Sequence, residues 1–232
     1  MHKDVLLYHG SKGGLLGDTI LPNSRKICDF GSGFYMGTQP SQAKALISVD
    51  IKPVLYHVRF MLSEIPEDRI LTLNGLDWAY FVTYNRGKLE MLKNTPLYER
   101  ISKIDEGKDV IIGPIADDSM REAMRRFTEN ELTDIAFLKC ISSLNLGNQY
   151  VAKTPFACSK IKILSSRELV AGELQTALEL SNQIYRDGSK LTRQFMAQYR
   201  RQGKYLDEIV AEEQERIQHE TIMEKSNNEY DY

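Results

Sequence analysis

Apolar positions in the first 165 residues fall mostly into short runs separated by glycine or proline, a rhythm of strands and short helices rather than long helices. Val5 to Tyr8 forms a first apolar run that breaks at His9-Gly10-Ser11 into a loop holding Lys12, Gly13, Gly14 and Gly17. Phe34 to Gly37 predicts a second short strand, and Pro40 opens a helix through Gln42, Ala45 and Leu46. Val54, Tyr56, Val58 and Phe60 alternate with Leu55, His57 and Arg59, which is the period of a strand with one more polar face. Helical spacing follows over Gly75 to Leu92, weakened near its end by Gly87. Asp109 to Pro114 predicts an apolar strand, with helices expected from Asp118 to Phe127 and from Leu132 to Leu144. Gln149 to Ala152 and Ile161 to Leu164 predict strands around a helical turn that begins at Pro155.

From about Ser166 the pattern becomes all-helical. Val170, Leu174, Leu178 and Ile184 mark one amphipathic helix, and Leu191, Phe195, Tyr199, Leu206, Ile209 and Ile217 a second, with a polar, frayed end over Lys225 to Tyr232. The expected organisation is one domain over residues 1–165 and a helical extension over 166–232, in the α+β class. Strands and helices alternate without a βαβ rhythm and no Gly-x-Gly-x-x-Gly joins a strand to a helix, so a Rossmann domain is not expected.

Charge adds little. Thirty Lys and Arg face 32 Asp and Glu, a net charge of −2 with no global field for polyanions. The N-terminal apolar run is too short for a signal-peptide core and no later stretch could span a bilayer, so a soluble, cytoplasmic protein without membrane contact is expected. Cys28, Cys140 and Cys158 lie far apart without a zinc spacing, and no metal is expected. Ser11 and Ser32 lack the elbow of a serine hydrolase, and His57 and His219 carry no expected chemistry.

Two segments stand out together: Tyr8-His9-Gly10-Ser11, and Asp29-Phe30-Gly31-Ser32-Gly33-Phe34-Tyr35. Their order resembles the first two signature elements of the diphtheria-toxin and PARP-like ADP-ribosyltransferase superfamily. Asp109 to Asp118, the pair Asn85-Arg86, and Asn148 to Thr154 resemble blocks of a bacterial family catalogued as domain of unknown function 3990, over about Val5 to Leu164. The resemblance implies a split β-sandwich of two small packed sheets around an NAD cleft. It implies transfer of ADP-ribose from NAD to a macromolecule with release of nicotinamide. NAD hydrolysis and non-catalytic NAD binding are the alternatives.

In that reading, His9 contacts a ribose hydroxyl on the adenosine side and the Gly10 backbone faces the nicotinamide amide, where the lack of a Cβ allows a planar group to approach. Tyr35 lays its ring on the nicotinamide, facing His9 across one groove. Ser11, Gly33, Phe34 and Arg86 complete the residues along the cofactor, although Phe34 turns to the opposite strand face and packs in the core. Arg86 suits either a diphosphate or the C-terminal end of its own helix. Catalytic members carry a Glu where this chain has Gln149, which can accept a hydroxyl hydrogen but brings no charge and no general base. Asp117, Asp118, Glu129, Glu131 and Asp134 are nearby acids, each more in keeping with a solvated helix charge. The superfamily's small bacterial toxins imply an antitoxin partner, for which the helical extension is a candidate surface.

Overall fold

A computed structural model describes residues 2–17, 19–24, 27–47, 52–116, 120–142 and 146–228. The expected starts and ends at Asp118 and Leu144, the candidate acids Asp117 and Asp118, and the last four residues lie outside them.

Seven strands form one sheet: β1 (Val5–Ser11), β2 (Phe34–Gly37), β3 (Val54–Phe60), β4 (Ile70–Thr72), β5 (Val110–Pro114), β6 (Asn148–Ala152) and β7 (Ile161–Glu168), in the order β4-β5-β6-β2-β1-β3-β7. The expectation of two packed sheets is corrected. The halves β4-β5-β6-β2 and β1-β3-β7 are joined edge to edge, yet β1 and β2 meet in register only at Tyr8↔Gly37. By contrast, β1 pairs with β3 along its whole length, and β2 with β6 along its own. The sheet is therefore continuous and split at its centre. The fold is α+β, with α1 (Pro40–Ala45), α2 (Gly75–Asn85), α3 (Pro96–Ser102), α4 (Met120–Thr128), α5 (Asp134–Ser142), α6 (Pro155–Ser159), α7 (Ala171–Tyr199) and α8 (Leu206–Asn228).

Local chemistry sets several of these ends. Thr95 and Thr154 accept from Tyr98 N–H and Ala157 N–H, capping α3 and α6 ahead of a proline at the first helical position. The helix expected to reach Leu92 stops at Asn85 instead. Gly87 sits at φ +69° and donates to Tyr84 C=O while Lys88 donates to Thr83 C=O, the two bonds of a Schellman ending. The break expected after Ile184 is absent, because α7 runs unbroken to Tyr199 with Gly188 and Thr192 buried inside it. The chain turns only at residues 200–205, around Gly203 at φ +82°. Helix α8 then continues to Asn228, so residues 225–228 are helical rather than frayed.

Strand alternation sends Ile111 and Val151 to one face and Val110, Ile112 and Ala152 to the other. The first face packs on Phe30, Trp78, Phe81, Met124, Phe127 and Phe137, a core built by α2 through α5. Helices α7 and α8 close it: α7 lies against α5, α1 and α4, α8 against α3, and Leu206 is buried among the core residues. The helical extension is thus packed on its own domain. The second face gathers Leu7, Phe34, Met36, Tyr56, Val58 and Phe60 with Ala157 and Cys158 of α6. None of the described helices is long and apolar enough to cross a membrane.

Candidate functional site

The split beside Tyr8↔Gly37 brings the two motif segments together. His9 Nδ1 lies 2.7 Å from the main-chain oxygen of Tyr35. A carbonyl only accepts, so Nδ1 carries the hydrogen. Burial lowers the His9 pKa below the ordinary imidazole value, an effect partly opposed by that bond, so the ring is neutral near pH 7 and Nε2 keeps its lone pair. The ring stacks on Phe34, with centroids 4.1 Å apart, and Tyr56 stands 6.1 Å away. Tyr56 in turn accepts from Leu15 N–H at 2.8 Å, drawing the loop after β1 back over this face.

Tyr35 turns the other way. The expectation that its ring faces the His9 ring is corrected: alternation along β2 places Phe34 and His9 with the second core and Tyr35 against the first. What joins His9 to Tyr35 is imidazole to main chain. The Tyr35 phenol is committed as well, donating to Gly31 C=O at 2.7 Å and accepting from Phe30 N–H at 2.9 Å. Burial pushes its pKa well above the ordinary phenol value, so it stays protonated.

Gly10 is required by packing. A Cβ there would stand 2.4 Å from Ala43 C=O, so α1 could not approach β1. Ser11 ends β1 opposite Val54. Gly33 exchanges main-chain and hydroxyl hydrogen bonds with Ser24, and its missing Cβ leaves room for Val151.

Arg86 does not cap α2 with its side chain. Its Nε and Nη2 both donate to Asp29 Oδ1, at 2.9 and 2.7 Å, and Nη2 also reaches Ala116 C=O at 3.3 Å. Buried Gln149 lies on the same face of the β2–β6 pair as Tyr35 and donates through Nε2 to Asp29 Oδ2 at 3.0 Å and Pro114 C=O at 3.1 Å. Lys153 adds a hydrogen bond to Phe30 C=O and an ion pair with Asp105. Arg86, Gln149 and Lys153 thus converge on the Asp29-Phe30-Gly31 turn, with the Asn85 amide oxygen beside Gly31 while its nitrogen donates to Phe81 C=O. Asp29 is the residue that sequence reasoning passed over. No local signal marks it, since an Asp before a glycine turn is ordinarily solvated and its partners lie 57 and 120 residues away in sequence.

The other acids are accounted for elsewhere. Glu129 pairs with Arg125, Glu131 with Arg126, and Asp134 accepts from Ile135 N–H and Lys204 N–H. Among the described residues no three His, Cys, Asp or Glu side chains gather as metal ligands. Two cavities, of about 270 and 240 Å³, lie away from the split, one beside His2 and Leu62 to Glu67, the other between Met91 and Val210.

A family model described as a protein of unknown function (DUF3990) matches residues 5–163, which takes in every strand residue from Val5 to Ile163. No curated protein and no solved structure matches the chain.

Proposed function

We propose, for a chain that belongs to the DUF3990 family, that the split between β1 and β2 binds NAD and that the protein transfers ADP-ribose to a macromolecule with release of nicotinamide. The observation that carries this reading is the junction of His9 with Tyr35. One imidazole nitrogen is spent on the main chain, so the other is a fixed, uncharged acceptor beside a strand edge whose register with its neighbour has ended. That suits a ribose hydroxyl. Tyr35 and Gln149 lie on the opposite face of the sheet from the His9 ring, so in this reading the dinucleotide passes the place where the β1–β2 pairing ends and meets them with its nicotinamide riboside, for which they supply an aromatic surface and an amide oxygen.

In the reaction the bond from ribose C1′ to the nicotinamide nitrogen breaks, and its electron pair leaves with the ring and quenches the pyridinium charge. The oxocarbenium-like carbon left behind is captured by an acceptor nucleophile, which gives up its proton. Gln149 offers an acceptor to the ribose without charge, so most of the acceleration must come from positioning.

The test is incubation with labelled NAD and whole lysate, followed by assay of free nicotinamide and digestion of separate portions with protease and nuclease. Label in macromolecules together with free nicotinamide is the expected result. Free ADP-ribose as the sole product would replace transfer by hydrolysis. The commitment of Gln149 and the Asp29–Arg86 ion pair favours a second reading, a non-catalytic NAD sensor. Calorimetric binding of NAD without nicotinamide release would establish it.

A further inference from the structure

Gln149 occupies a position where its orientation is dictated by its neighbours. Nε2 has two hydrogens, and the two atoms within reach, Asp29 Oδ2 at 3.0 Å and Pro114 O at 3.1 Å, can only accept. The flipped amide would set Oε1 against a carboxylate and a carbonyl, two repulsive contacts in a buried place. Chemistry therefore fixes which end is which, and Oε1 points away from both. Arg86 completes the arrangement by occupying Asp29 Oδ1 with two donors, which leaves Oδ2 for the amide.

We propose that Asp29 is the positioning residue of this site: it holds the Gln149 amide so that Oε1 is presented as hydrogen-bond acceptor to a hydroxyl of the nicotinamide ribose. The inference rests on the NAD reading above and names the group that compensates for an amide where a carboxylate would carry charge. An amide donating to a carboxylate also shifts electron density onto its own oxygen, so Asp29 strengthens the acceptor it aims. Asp29 itself does not touch the substrate.

Four proteins test it: wild type, Asp29→Asn, Gln149→Glu, and the double variant. In Asp29→Asn the side chain at 29 is itself an amide, so Gln149 loses its fixed orientation. Nicotinamide release should fall about tenfold in kcat, the worth of one hydrogen bond in the transition state, with the KM for NAD within about threefold. Gln149→Glu sets two carboxylates about 3 Å apart, so release should fall at pH 7 and recover on acidification, as one of the pair takes up a proton. The double variant restores a donor facing a carboxylate with the polarity reversed, and release should return to wild-type level or above. Urea midpoints of all four proteins separate the two roles: a positioning role lowers kcat in protein that is still fully folded under the assay conditions and recovers it by exchange, whereas a purely structural role lowers activity only as far as the folded fraction falls.

Asp29→Asn turning over like wild type, or a double variant no better than Asp29→Asn, would overturn the inference while leaving the NAD reading in place. Wild type that releases no nicotinamide would overturn transfer itself, and this role for Asp29 with it.

Discussion

Tyr35→Phe separates the two tasks this side chain is asked to perform. The ring survives and the hydroxyl goes. That hydroxyl donates to Gly31 C=O at 2.7 Å and accepts from Phe30 N–H at 2.9 Å, so its loss unpairs both sides of the turn that carries Asp29. A net hydrogen bond is worth about 1 kcal/mol, and a buried group left without a partner costs about 1–3 kcal/mol. Because the position is half-buried and water can replace part of the loss, the expected cost is about 2 kcal/mol. With a denaturant slope of about 3 kcal/mol/M for a chain of this size, the urea midpoint should move down by about 0.7 M. Trp78 is the one tryptophan and lies in the core with its indole N–H on Pro114 C=O, so its fluorescence reports unfolding of this region directly. NAD affinity should stay within about threefold in the Phe variant and weaken about fivefold in Tyr35→Ala, the loss of about 1 kcal/mol of stacking. An unchanged urea midpoint in Tyr35→Phe would refute the hydroxyl's hold on the Phe30-Gly31 turn, and unchanged affinity in Tyr35→Ala would refute the stacking surface.

Three further outcomes follow from the same contacts. Arg86→Ala leaves Asp29 without its guanidinium and should cost about 3 kcal/mol, the lower end for a buried pair since both side chains keep slight exposure; a loss under about 1 kcal/mol by urea unfolding would show that the pair is not structural. His9 has its pKa lowered by burial, so below about pH 6.5 the unfolded chain binds more protons than the fold. Stability is then present above that pH and declines below it, by up to about 1.4 kcal/mol per pH unit, and His9→Gln should flatten the slope between pH 5 and 7; parallel slopes would deny that His9 is buried neutral. Burial pushes the thiols of Cys140 and Cys158 up to about 11, so iodoacetamide at pH 8 should leave both unmodified in the native protein and label Cys28 first, with peptide mass spectrometry as the readout.

Much of the framework was legible in the chain because its signals are local. Pro40 and Pro155 open helices, and Phe34 to Gly37 and the alternation from Val54 to Phe60 are strands, but the boundary expected at Ser166 falls inside β7, which stays paired with β3 through Glu168 before helix begins at Ala171. The three-residue strand β4 and the helix α3 do not stand out in the sequence: Ile70 to Thr72 is too short to show a period, and the seven residues of α3 after Thr95 span less than two full helical turns. The helical end looked like an appendage in sequence. It is part of the fold, since Phe195, Tyr199 and Leu206 complete the main core.

The sequence by itself marked segments that meet: His9 lies against the main chain of the Phe34-Tyr35 strand, and Arg86 and Gln149 lie against Asp29 of the glycine turn. Only the tertiary structure decided how they face. Side-chain direction along a strand reverses at every residue, so His9 went to one side with Phe34 and Tyr35 to the other, according to which core each strand covers. The role of Asp29 was likewise decided in space. A carboxylate, a guanidinium and an amide brought from positions 29, 86 and 149 acquire meaning only when the sheet and α2 place the guanidinium and the amide each within 3.0 Å of the carboxylate, the cost of whose burial they offset.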